Sequence, residues 1–172
     1  MYKHDNLSFR KLEEYDLDLL LSLKRESWFG THSVSFLNRA AQKKWFDSLD
    51  NHPTHPSNLI LTVADEHANY GTVGFFKIFN ISWQNRSADV GWDVLLPHRG
   101  KGHGHKIVKG GSNLCFELLN LRRLNAEILS SNVASRRCAE TAGYVLEGTK
   151  RAAVERDYVY IDSQMWGLLK NL

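Results

Sequence analysis

The sequence predicts an α/β fold built on a mixed sheet, and three observations predict it. Seven runs of alternating or continuous apolar residues read as strands, interleaved with four stretches of helical periodicity. One strand-like run ends in a glycine-rich basic turn, RGKGHGHK (99–106), that opens directly into a helical stretch. The 172 residues show no internal repeat, linker or low-complexity tract, so residues 1–172 are expected to form one domain. A chain of this size buries roughly 70% of its unfolded surface and needs no disulfide or metal staple.

The elements follow in order. Leu7 to Lys11 reads as a short strand. Glu14 to Glu26 reads as a helix, with Leu17, Leu20, Leu21 and Lys24 on one face and acids in its first turn. Residues 27–38 form a loop whose aromatics include Trp28 and Phe29. Arg39 to Leu49 is helical, with Ala41, Trp45 and Leu49 at four-residue spacing. Residues 51–58 are turn-rich. Strands are expected at Leu59 to Asp65, Gly71 to Ile81 and Ser87 to Leu95. The last puts Val90, Trp92 and Val94 on one face and Asp89, Gly91 and Asp93 on the other. After the glycine loop, Ile107, Gly111, Leu114 and Leu118 mark a helix running to Asn120. Arg123 to Leu129 is a strand, and Ser131 to Ala142 a helix stopped by Gly143. Tyr144 to Lys150 and Asp157 to Leu168 close the chain as strands.

Composition narrows the function. A net charge of +3 permits an anionic ligand but is too small to mark a nucleic-acid binder. Cys115 and Cys138 match no zinc spacing, which favours reduced, buried thiols and a cytoplasmic chain. The N-terminus lacks an apolar signal core, and no apolar run approaches the roughly 20 residues of a membrane span. No metal site is expected: His98, His103 and His105 lie close together, but no carboxylate or cysteine nearby completes a ligand set.

The glycine loop fits neither common nucleotide motif. A Walker loop needs G-x-x-x-x-G-K-[ST] and a dinucleotide fingerprint G-x-G-x-x-G. Gly100, Gly102 and Gly104 give G-x-G-x-G. Two readings stay open. One is a flexible basic turn. The other is a pyrophosphate cradle, in which small residues let backbone N–H groups approach phosphate oxygens at a helix N-terminus.

The context of the loop resembles a known family. Arg99, Gly102 and Gly104 match the R/Q-x-x-G-x-G/A signature of the GNAT acyltransferases. DVGWDVLLP (89–97) is similar to that family's fourth strand and proline turn. Asn132, Ser135, Gly143, Tyr144, Glu147 and Gly148 match its N-x-x-[AS]…G-[FY]-x-x-E-G block. QKKWFDSL (42–49) resembles the Rim-type branch, which includes ribosomal-protein N-terminal acetyltransferases. The resemblance implies a mixed, mostly antiparallel central sheet of about seven strands flanked by about four helices. A V-shaped opening is implied between the fourth and fifth strands.

It also implies acetyl transfer from acetyl-CoA to a primary amine, either a protein N-terminus or a small molecule such as an amino sugar, by direct attack. Val94 and Leu95 would face pantetheine with backbone groups. Arg99, Gly100, Lys101, Gly102, His103 and Gly104 would hold the pyrophosphate. Asn132 would bond the cofactor or cap its helix. Glu127 resembles a catalytic glutamate of the family; alternatively it only pairs with Arg122 or Arg123. Asp89 and Asp93 are rival carboxylates, and Asp93 is also expected at the acceptor. The tyrosine many members place seven residues after the asparagine is Ala139 here, which leaves Ser135 as proton donor or as a helix cap. Trp28 and Phe29 are expected to contact the acceptor. A homodimer is one expected assembly. The alternatives are a non-catalytic acyl-CoA sensor and, ranked last, a nucleic-acid binder; no membrane partner is expected.

Overall fold

In the computed structural model, residues 1–26, 38–49, 52, 54–69 and 71–170 are described, with the side chains of Arg25 and Glu26 left aside. Eight strands form one sheet: β1 (Tyr2–His4), β2 (Leu7–Lys11), β3 (Leu59–Asp65), β4 (Gly71–Ser82), β5 (Ser87–Val94), β6 (Arg123–Leu129), β7 (Val145–Arg156) and β8 (Val159–Leu169). Among the described residues, four α-helices flank it: α1 (Leu17–Glu26), α2 (Arg39–Asp47), α3 (His103–Glu117) and α4 (Val133–Thr141). The order across the sheet is β1-β2-β3-β4-β5-β6-β8-β7, antiparallel except where β5 meets β6. The mixed sheet and its helices agree with the expected class. The short β1, paired from Tyr2–Phe9 to His4–Leu7, was not expected; three polar-flanked residues carry too little alternation to read.

Each face of the sheet has its own core. One buries Phe9, Phe76, Val90, Ile107, Leu124 and Ile128 under α3 and α4. The other packs Leu17, Leu20 and Leu23 of α1 against Leu12, Ile60, Phe75 and Leu95. Helix α3 lies close on the sheet because Gly110 and Gly111 face it, and a Cβ at Gly111 would sit 2.4 Å from the Phe76 ring. The start of α1 is fixed by Asp16, which is buried. Arg10 grips it with two bonds of 2.7 Å, and Thr62 donates at 3.0 Å. Burial alone would raise the Asp16 pKa, but Arg10 and the Glu13 amide outweigh it and hold the group below its ordinary value.

At Gly74 two backbones come too close for any side chain. A Cβ there would lie 2.2 Å from the Asp93 carbonyl oxygen. Gly74→Val should therefore destabilise the fold by about 3 kcal/mol, the upper end for overpacking, by prising β4 from β5. Urea unfolding of the variant checks this; an unchanged midpoint would contradict it.

The last hairpin is longer than the sequence suggests. Strand β7 runs on to Arg156 with register shifts between Leu146/Gly148 and between Lys150/Val154. Bulged strands break the period-two pattern, which hid residues 151–156. Asp157 and Tyr158 form the two-residue turn, both with positive φ. No described helix is long and apolar enough to cross a membrane.

Candidate active site

Strands β5 and β6 pair only from Ser87–Arg123 to Asp89–Asn125. Beyond that point β5 stays with β4, and β6 with β8. The two arms part and open a cleft of about 1480 Å³. Residues Gly91–Val94 and Glu127–Leu129 no longer pair with each other, so the cleft is walled by strand backbone that an extended ligand can approach.

The glycine loop sits at the mouth, between β5 and α3. Gly100 and Gly102 have φ of +72° and +84°, a conformation that side chains disfavour. Gly102 caps α3, so no side chain covers the N–H groups of its first turn from that position. Positive backbone groups, the helix dipole and the nearby Arg99 suit a diphosphate here. Arg99 Nε donates to the Val94 carbonyl at 2.9 Å, tying the loop to the β5 arm. Arg99, Gly100, Gly102 and Gly104 line the cleft, as does Val94.

The geometry corrects Leu95, and it sends the side chains at Lys101 and His103 away from the cleft, where the expected partners of a diphosphate are the loop's backbone N–H groups. Leu95 is buried in the α1 core, and its N–H donates to the Val73 carbonyl at 2.9 Å, so it cannot pair a ligand. Lys101 is exposed and does not line the cleft. His103 turns away: its ring nitrogens lie 2.9 Å from Asp65 Oδ2 and 3.1 Å from the His98 carbonyl. It braces the loop from behind. Burial pulls the Asp65 carboxyl up, but the His67 amide, Asn6 and His103 hold it below its usual value. Gly104 lies within α3, where a Cβ would meet Cys138 Sγ at 2.7 Å; its smallness serves contact between α3 and α4. His98 does line the cleft, and burial followed by the nearby His103 and Lys101 lowers its pKa, favouring the neutral ring.

On the α3–α4 side of the cleft, Asn132 Oδ1 accepts from the Ser135 N–H at 3.1 Å. Asn132 is thus the cap of α4, and Ser135 is free of that role, in the first turn and on the cleft wall. Ala139 is fully buried, so no acid reaches the site from there. Burial also pushes the Cys138 thiol up, which disfavours a thiolate nucleophile.

The opposite side is charged. Strand alternation places Asp89, Asp93, Arg123, Asn125 and Glu127 together there. Glu127 Oε1 accepts from Ser163 Oγ at 2.8 Å and Lys150 Nζ at 3.0 Å; the expected Arg122 or Arg123 partner is replaced by Lys150. Arg123 instead pairs with Glu147 and Asn125. Asp93 pairs with Lys77. Asp89 accepts from Asn80 at 2.8 Å and Asn125 at 3.1 Å. Lys24 arrives from α1, its Nζ 3.1 Å from Gln42 Oε1 and 4.5 Å from the Trp45 ring centre. Burial, then Lys77, lowers its pKa. Sequence reading missed Lys24, Lys77 and Lys150, which line the cleft from α1, β4 and β7, and Ser163 of β8, which bonds Glu127. Trp28 and Phe29 lie outside the described residues.

Comparison with known proteins agrees with this architecture. The acetyltransferase (GNAT) domain model matches residues 6–145. The chain is 32% identical over 110 residues to the probable N-acetyltransferase YjcK of Bacillus subtilis, covering 64% of this chain and 59% of that protein. It thus spans less than two thirds of that relative's length. It is 24% identical over 150 residues to the spermidine N(1)-acetyltransferase of Vibrio cholerae, covering 84% of this chain and 82% of that one. The crystal structure of the V. cholerae spermidine N-acetyltransferase in complex with CoA and spermine superposes with a TM-score of 0.86 at 20% identity. That match covers 95% of both chains and shows a shared fold. With the family model spanning most of its length around this cleft, the chain belongs to the GNAT acetyltransferase family.

Proposed function

We propose that the chain transfers acetyl from acetyl-CoA to the primary amine of a small molecule, by direct attack within a ternary complex. The observation that carries this reading is the parted β5–β6 ladder with the Gly100–Gly102 loop at its mouth. Acetyl-CoA supplies the thioester acyl group. The loop from Arg99 to Gly104, with N–H groups at the start of α3, receives the diphosphate, and the β5 edge beside Val94 lies against the pantetheine arm. The amine enters from the charged side. Glu127 takes its proton, the new C–N bond forms and the C–S bond breaks. Ser135, on the cleft wall, passes a proton to the leaving sulfur.

The small-molecule acceptor is supported by the spermidine acetyltransferases among the relatives. The Rim-type placement, with a protein N-terminus as acceptor, rests on residues 42–49 and Ser135 alone. A homodimer belongs to the same reading, since β7 is an open edge with Val145 and Leu146 exposed. The V. cholerae relative is described as dodecameric.

Ligand-induced stabilisation tests the reading. Acetyl-CoA at 100 times its Kd should stabilise the fold by about 2.7 kcal/mol, since it binds the native state alone. ATP and NAD at the same concentration should shift the melting temperature far less, because the loop matches neither nucleotide motif. Equal shifts, or none with acetyl-CoA, would overturn the proposal.

A further inference from the structure

We infer that the acceptor amine also carries an anionic group, a carboxylate or a phosphate, received at Lys24 and Lys77; this rests on the acetyl-transfer reading above. Among the described residues, the charged side of the cleft holds four acids, Asp89, Asp93, Glu127 and Glu147, against four bases, Lys24, Lys77, Arg123 and Lys150. Its net charge is zero, which gives a polycation no electrostatic advantage.

The charges are unevenly arranged. Glu127 and Glu147 each have a basic partner, Lys150 and Arg123. In the corner beneath α1, two lysines face one carboxylate. Lys77 pairs with Asp93, while Lys24 meets the neutral oxygen of Gln42 and the face of Trp45. Lys24 pairs with no carboxylate among the described residues. A half-buried ammonium in excess over its counter-charges is a site for an anion.

The complement lies at the closed end of the cleft and on the β6 arm. Asp89, where β5 and β6 last pair, is held by two side-chain amides and meets no base among the described residues; Glu127 follows two residues beyond its partner Asn125 on β6. An acceptor with an amine at one end and an anion at the other matches this polarity. A polyamine presents a cation to the lysine corner and is repelled there.

Matched acceptors test the inference through CoA release. Phenylalanine is compared with its amide, glucosamine 6-phosphate with glucosamine, and spermidine is included. In one pair the anionic member should show a kcat/KM at least tenfold higher. The pair that responds tells carboxylate from phosphate. Lys24→Met should bring that ratio toward one, and Lys24→Arg, which keeps the charge, should preserve it. Spermidine outperforming every anionic amine, equal rates within both pairs, or a ratio that persists in Lys24→Met would overturn the inference. Acetyl-CoA binding without CoA release for any amine would instead overturn the transfer reading itself.

Discussion

Glu127→Gln should lower kcat by roughly 10²–10⁴ while leaving acetyl-CoA affinity little changed. That range is the usual contribution of a positioned general base. The side chain keeps its shape and still accepts from Ser163 and Lys150, so the loss is one of basicity rather than packing. An acceptor amine is mostly protonated at neutral pH and must shed a proton before it attacks. The deficit should therefore shrink as pH rises toward the amine's own pKa, near 8 for an α-amine and about 10.4 for a lysine-like amine. Asp93→Asn and Asp89→Asn are the controls, since both carboxylates share this side of the cleft. Should Glu127→Gln stay near normal at pH 7 while one of the controls collapses, the base lies on β5.

Gly102→Val should weaken CoA binding by about 10- to 100-fold with the far-ultraviolet circular dichroism unchanged. A branched side chain at φ +84° costs about 1–3 kcal/mol, and each 1.4 kcal/mol is a factor of ten in affinity. The loop can relieve that strain only by abandoning the conformation that aims its N–H groups. Gly104→Val makes a different prediction. Its side chain would run into Cys138 Sγ, so it should lower the stability of the α3–α4 contact as well as binding. Normal CoA affinity in a folded Gly102→Val variant would make the loop an ordinary turn.

The backbone plan was legible because its signals are local. Val90, Trp92 and Val94 alternate cleanly, Gly143 stops α4 with φ +91°, and the glycine loop stands where a strand gives way to a helix. What escaped was set by contacts between distant residues. The Glu127 carboxylate meets Ser163 and Lys150 only because β6, β8 and β7 lie side by side, an order the sequence does not state. His103 sits inside the loop motif yet turns to Asp65, 38 residues earlier. Leu95 follows a residue of the cleft wall but belongs to the α1 core, because the chain turns at Leu96–His98. Lys24 read as the edge of an apolar helical face; the fold makes it a cation of the cleft.

Initial rates of CoA release, with acetyl-CoA varied at several fixed concentrations of an accepted amine, test the central claim most directly. Direct attack requires both substrates in the cleft at once, so double-reciprocal lines should intersect. Acetylated amine should appear one-for-one with free CoA, and the protein should carry no acetyl group. Parallel lines with an acetylated protein, at Cys138 or elsewhere, would contradict the account.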